Sequence, residues 1–208
     1  MADFAQIKEK IRVMAELVFK MWQESFRTFM KHDEDLIPPI LEIENNVNSL
    51  EKEITAGLVE IGKSTSDNSV RFNAGIYADV AADLELIGDY CKDFLERVQI
   101  KIEENLLFSE ESVKEFESLY RKSEEALDEV VRAFQRDDYD LAREVLRQEG
   151  HIEGLVDEYR RRHNERLMKG ICQPIACNLF VNMLEFTADI YYHTNKISKN
   201  LLKIRSVA

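Results

Sequence analysis

The feature that most constrains this chain is an internal duplication. Phe29-Met-Lys-His-Asp-Glu-Asp-Leu36 recurs as Phe134-Gln-Arg-Asp-Asp-Tyr-Asp-Leu141, and Glu44, Val47, Leu50 and Glu53 recur as Glu149, Ile152, Leu155 and Glu158, both at an offset of 105. Further along, Glu85-Leu-Ile-Gly-Asp89 returns as Glu185-Phe-Thr-Ala-Asp189 at an offset of 100. A pattern repeated in order implies a supersecondary unit built twice. The drop in offset reads as a longer loop in the first copy, around residues 62–69.

The unit is helical. Apolar residues at Ile7, Ile11, Met14, Val18, Met21 and Phe29 keep the 3.6-residue rhythm through a first helix over about residues 3–31. Pro38 and Pro39 fit only a first turn, so a second helix starts near Asp35 and runs to about Ile61, with Val47, Leu50, Ile54 and Leu58 as its stripe. A third helix spans about residues 70–106, and Ser109 caps a fourth that reaches about Arg136. The fifth covers about residues 139–169 and is closed by Gly170; the sixth holds Pro174 in its first turn and runs to about Lys203. No strand pattern occurs. The expectation is an all-α chain, a tandem repeat of two antiparallel three-helix bundles with six long helices, divided at residues 1–107 and 108–208.

Charge narrows the function. With 40 acidic against 28 basic side chains the formal net charge is −12, which repels nucleic-acid phosphates and anionic lipid and favours cations. There is no apolar run near the roughly 20 residues needed to span a bilayer, and no signal-peptide core at the N-terminus. Three cysteines without CxxC spacing argue against a disulfide framework and against a zinc knuckle and suit a reducing compartment, so the chain reads as cytoplasmic. Cys91, Cys172 and Cys177 sit among apolar helical residues and read as small core hydrophobes. The basic run Arg160-Arg-Arg-His163 reads as a cationic helix end complementing its dipole.

One carboxylate pair at i,i+4 means little in so acidic a chain, but the context here is unusual. From 174 to 195 the only charged residues are Glu185 and Asp189, and from 72 to 91 there are four acids, Asp79, Asp83, Glu85 and Asp89, with no base. Buried carboxylates require a cation, a hydrogen-bond network or protonation. At about 100° per residue Asn178, Asn182, Glu185, Asp189 and His193 share one stripe, matched in the first copy by Glu85, Asp89 and Asp93 with Asp79 and Asp83 alongside. The preceding helices offer facing groups: Glu44, Asn48 and Glu51, and Glu149, Glu153 and Asp157. Such oxygen-rich sets suit magnesium, calcium, manganese or iron. The competing account is ion pairing to Arg12, Arg27, Arg121 or Arg132 of the first helix in each repeat.

None of the four histidines has a Glu three positions before it, which counts against di-iron oxygen chemistry. Nucleophilic triads, phosphate-cradling glycine loops and redox CxxC motifs are also missing.

The duplicated unit, with Asp83-Leu-Glu-Leu-Ile-Gly-Asp89-Tyr on its third helix, resembles the PhoU family of phosphate-uptake regulators over about residues 10–204. The resemblance implies a non-enzymatic cytoplasmic regulator acting on a phosphate transporter component, a sensor kinase, or both. It implies metal ions (iron, magnesium, manganese or zinc) held by Glu44, Asn48, Glu85 and Asp89 in one copy and Glu149, Glu153, Glu185 and Asp189 in the other. No nucleic acid is expected, contact with the membrane is peripheral at most, and a homodimer is compatible. The chain departs from the family pattern at Leu86 and Phe186, where arginine is usual, which points to a PhoU-like relative rather than the standard kinase-coupled regulator. It departs also at Ala188, the counterpart of Gly88, and at Asn48, where a carboxylate is typical, which counts against a full multi-metal cluster in the first repeat. The alternatives are a carboxylate-bridged metalloenzyme and a metal-free structural bundle.

Overall fold

The computed structural model describes residues 3–147 and 151–204. Within them the chain forms α1 (Phe4–Lys31), α2 (Ile37–Ser64), α3 (Asn68–Glu103), α4 (Glu110–Arg136), α5 (Ala142–Arg147), α6 (His151–Met168) and α7 (Pro174–Leu201), and no strand. The single fifth helix read from the sequence is described as two segments, α5 and α6.

Local chemistry sets the ends. Asp3 accepts a hydrogen bond from the Ala5 amide at 3.3 Å, and Ser109 accepts one from the Ser112 amide at 3.2 Å. The duplication is visible in the corners. α1 ends on His32 with φ 55° and α4 on Asp137 with φ 49°, both left-handed. Each corner continues into a one-turn 3₁₀ segment, Glu34–Leu36 or Tyr139–Leu141, whose preceding aspartate accepts an amide bond at 3.1 Å. These turns take up the start assigned to the second and fifth helices.

The connection between α2 and α3 is shorter than expected. α2 runs on to Ser64, and Asp67 caps α3 by accepting from the Ser69 and Val70 amides at 2.7 and 3.4 Å. The extra residues of the first copy are helical: α3 has 36 residues against 28 in α7, and most of the difference precedes Glu85. With Asp67 holding both amides, residues 68–70 gain more as a helix start than as loop.

The two repeats share one core. Trp22 of α1 is fully buried, donates to Ser123 Oγ of α4 at 3.0 Å, and meets Phe94 edge-on at 5.2 Å. Phe26 stacks on Tyr120 at 3.7 Å, and Phe94 on Phe116 at 5.5 Å. α3 and α7 pair most extensively of all helices. The stripe Ile7, Ile11, Met14, Val18, Met21 and Phe29 is buried throughout, and removing such side chains from water is the main favourable term in folding.

Candidate functional site

The first seam lies between α2 and α3. Gly88 lies where the two helices approach: a Cβ placed there would lie 3.4 Å from Val47 Cγ1, the near limit of ordinary contact. Glu44 is buried; its Oε1 accepts from Asn48 Nδ2 at 2.8 Å and from Lys92 Nζ at 3.3 Å. With the Asn48 amide thus committed, its Oδ1 is buried and lacks a hydrogen-bond partner. Glu85 and Asp89 are half-buried across from this pair and make no hydrogen bond or ion pair among the described residues. Burial, then the charges of Asp89, Glu51 and Glu44, pushes the Glu85 carboxyl above its ordinary range, with Lys52 pulling the other way. Burial, then Glu44, does the same to Asp89 against the pull of Lys92. Uncompensated carboxylates beside an orphaned amide oxygen form a donor set suited to a hard cation.

The second seam is more open. Glu153 of α6 and Asp189 of α7 line a cleft of about 280 Å³ with Ile152, Ala188, Tyr191, Tyr192 and Asn195. Asn195 is buried with an unpartnered Oδ1. Burial raises the Asp189 carboxyl, opposed by His193 and reinforced by Glu185. Glu185 is exposed and pairs with Arg160 Nη2 at 2.9 Å, so it stands apart from this cleft. Glu149 lies outside the described residues. Asn178 is exposed and Asn182 half-buried, so the predicted five-residue stripe reaches the cleft only through Asp189. Among the described residues, no three seam carboxylates bring oxygens within 4.8 Å of one another, so a single shared ion requires side-chain rotation.

Two expectations are corrected. Asp83 and His193 belong to neither seam: they meet at the α3–α7 junction, where Asp83 Oδ1 lies 2.8 Å from His193 Nδ1 and accepts from Lys196 Nζ at 2.7 Å. The arginines offered as an alternative way of neutralising the seams do not reach them. Arg12, Arg27, Arg121 and Arg132 pair with Glu9, Glu24, Glu117, and with Asp128 and Glu129, one turn away on their own helices. Near neighbours on a helix face satisfy a long side chain with less loss of rotamer freedom than a reach across the bundle. The basic run on α6 likewise finds specific partners: Arg160 with Glu185 and Asp157, Arg161 with Glu165, and Arg162 with Glu158 and Glu115.

Fold and seams together define a duplicated, all-helical protein with a carboxylate-lined groove between the second and third helices of each copy. The PhoU domain model matches residues 11–98 and 116–200. The chain belongs to the PhoU family. Its fold is similar to that of PhoU from Pseudomonas aeruginosa, with a TM-score of 0.88, 20% identity, and 97% of this chain and 96% of that one covered. It is also similar to the phosphate transport system regulatory protein PhoU from Streptococcus pneumoniae, with a TM-score of 0.83, 12% identity, and 98% and 97% covered. A PhoU-like protein from Shewanella oneidensis MR-1 is more distant in shape, with a TM-score of 0.65, 12% identity and 95% of each chain covered. No curated protein matches the chain in sequence.

Proposed function

We propose that this chain is a non-enzymatic, cytoplasmic regulator of phosphate transport, which docks on a phosphate transporter component or its sensor kinase. Metal ions bound in the two carboxylate seams would fix the helical surface that docks. Membership of the PhoU family supports the regulatory part. No helix among the described residues is long and apolar enough to cross a membrane.

The observation that carries the metal part is the buried, unpartnered Oδ1 of Asn48 beside Glu44, whose charge acts on Glu85 and Asp89, with no cation paired to either of those two among the described residues. In such a site Glu44, Asn48, Glu85 and Asp89 would hold one ion, and Glu153, Asp189 and Asn195 another. A hard divalent ion would add positive charge where Glu85, Asp89 and Asp189 have no paired cation among the described residues, beyond the Lys92 already on Glu44. It would stabilise the folded chain, because its ligands come from two helices that only folding brings together.

The test has two arms. Phosphate uptake and phosphate-responsive transcription are compared in cells with and without the protein, alongside its co-purification with the phosphate transporter and the sensor kinase at low and high phosphate. Unchanged uptake and transcription without association with either would sink the regulatory reading. Elemental analysis of chelator-free protein, with thermal melting before and after Mg²⁺ or Mn²⁺, tests the seams; no metal and no shift would leave a metal-free structural bundle.

A further inference from the structure

The sharpest convergence of metal-binding side chains lies outside both seams. At the far end of the second copy His163, Cys172 and Cys177 place their ligand atoms within 4.8 Å of one another, the only such group of three among the described residues. Cys172 Sγ is 4.0 Å from His163 Nε2. We propose that these three side chains form a zinc-binding site that ties the α6–α7 connection to the two helices it joins.

The backbone is built to bring them together. α6 ends in a left-handed turn on Gly170, φ 69°, whose amide donates to the Leu167 carbonyl at 2.9 Å while the Ile171 amide donates to the Arg166 carbonyl at 2.9 Å. This paired closure is the Schellman arrangement, and it reverses the chain so that Cys172 returns over the last turns of α6. Cys177, in the first turns of α7, supplies the second sulfur. It is buried at 6% exposure, His163 at 1%, and Cys172 is half-exposed. The pocket is therefore closed on the core side and open toward solvent at one sulfur.

The imidazole is held as zinc ligands are held. Its ring stacks on Phe180 at 4.2 Å, and Nδ1 lies 3.3 Å from Ser112 Oγ, which can accept its proton when Nε2 turns to a metal. Arg166 Nη2 is also 3.3 Å from Nδ1, but the guanidinium is already engaged by Glu115, to which it donates through both Nη atoms. Burial, with Arg166 second, holds the imidazole down to about 4, leaving it neutral near pH 7. Zn²⁺ with two thiolates is neutral, the two thiol protons leave to solvent, and the neighbouring Glu115 is held by Arg166 and Arg162. Two sulfurs and one nitrogen suit zinc better than the hard cations of the seams, and they leave one tetrahedral position for water.

The experiment uses the full chain, reduced and stripped with chelator, with Co²⁺ as probe. Tetrahedral cobalt bound to thiolate gives an intense sulfur-to-metal charge-transfer band, which oxygen-only seams do not produce. The expected result is one such band per chain, bleached by stoichiometric Zn²⁺. It is lost in Cys172→Ser with Cys177→Ser, kept in Glu85→Gln with Asp89→Asn, and its affinity falls at least about 10-fold in Ser112→Ala. If the double serine variant loses its helical circular dichroism, Cys172→Ser alone, at the half-exposed loop position, must still weaken the band. A reduced wild-type chain without the band overturns the proposal, and so does a band that survives in the folded double variant. A Cys172–Cys177 disulfide forming in place of cobalt binding overturns it too, in favour of a redox pair.

Discussion

Asp83 carries the clearest measurable contribution to joining the repeats. It is 1% exposed on α3, and its Oδ1 holds both His193 and Lys196 of α7, while Oδ2 is buried and unpartnered. Replacing Asp83 with Ala removes two hydrogen bonds to a charged group, each worth about 1.5–3 kcal/mol at most. Two corrections reduce that sum. The Lys196 side chain is 46% exposed, so its ammonium rehydrates and the pair contributes no more than about 1 kcal/mol. Removing the orphaned Oδ2 returns about 1 kcal/mol of desolvation. Against this, the His193 ring stays buried among Tyr90 and Tyr192 without its acceptor. The net expectation is a loss of about 2 kcal/mol for Asp83→Ala, up to thirtyfold in the folding equilibrium, and about 1 kcal/mol for Asp83→Asn, which keeps an acceptor. Urea denaturation followed by circular dichroism measures it, with a double-mutant cycle against His193→Ala expected to show coupling of at least about 1 kcal/mol. If Asp83→Ala lies within about 0.5 kcal/mol of wild type, or Lys196→Ala costs as much as Asp83→Ala, the reasoning fails.

Further outcomes follow from the first seam. The folded carboxyls of Glu85 and Asp89 are raised above their unfolded values, so their contribution to stability is present below those values and is lost as pH rises through the folded ones. In chelator, Glu85→Gln with Asp89→Asn should flatten that loss and melt slightly above wild type near neutral pH, by about 0.5 kcal/mol for one relieved like-charge helix pair. With excess Mn²⁺ the order should reverse; the same order with and without metal would count against the seam. Gly88→Ala brings a Cβ to 3.4 Å from Val47 Cγ1, a contact a small shift of the valine accommodates, so the helix preference for Ala should prevail by about 0.5–1 kcal/mol in urea denaturation. A loss above about 1 kcal/mol would show that the helices cannot yield there.

Much of the fold was legible because its determinants are local. The apolar stripe of α1, the helix start near Asp3, the cap at Ser109 and the closing Gly170 each depend on residues within one or two turns. The seams were legible in part for the same reason: Glu44 with Asn48, and Glu85 with Asp89, are single-helix spacings. The polar stripe on α7 misled because periodicity gives which residues share a face but not what that face meets. Upper α7 meets α3 of the other copy, so His193 went to Asp83, 110 residues away. Asn195 lay just past the residues read as the stripe and carried no charge to draw notice, although it lines the second cleft. The cysteines read as core hydrophobes, which holds for the fully buried Cys91; Cys172 instead lies in the loop that Gly170 turns, and only that turn reveals its neighbours.

The loop also explains why the thiol and imidazole group occurs in one copy. The positions corresponding to His163 and Cys177 are Leu58 and Tyr77, both buried apolar residues of the first copy. There α3 extends back to Asn68, and the link from α2 is only residues 65–67, stapled by Thr65 and Asp67 side chains to following amides. So short a link has no room to fold back over the end of α2. In the second copy α7 begins at Pro174, and residues 169–173 are free to make the Gly170 reversal that lays Cys172 over His163. The helix that lengthens one repeat and the loop that lengthens the other are thus a single exchange: the first copy spends its residues on another stretch of packed helix, where Tyr77 reaches the Tyr139 hydroxyl at 3.0 Å. The second leaves a loop able to carry a ligand. Unequal helix ends follow from that exchange, and grafting residues 169–173 in place of 65–67 would therefore not transplant the zinc site unless Leu58 and Tyr77 were also replaced.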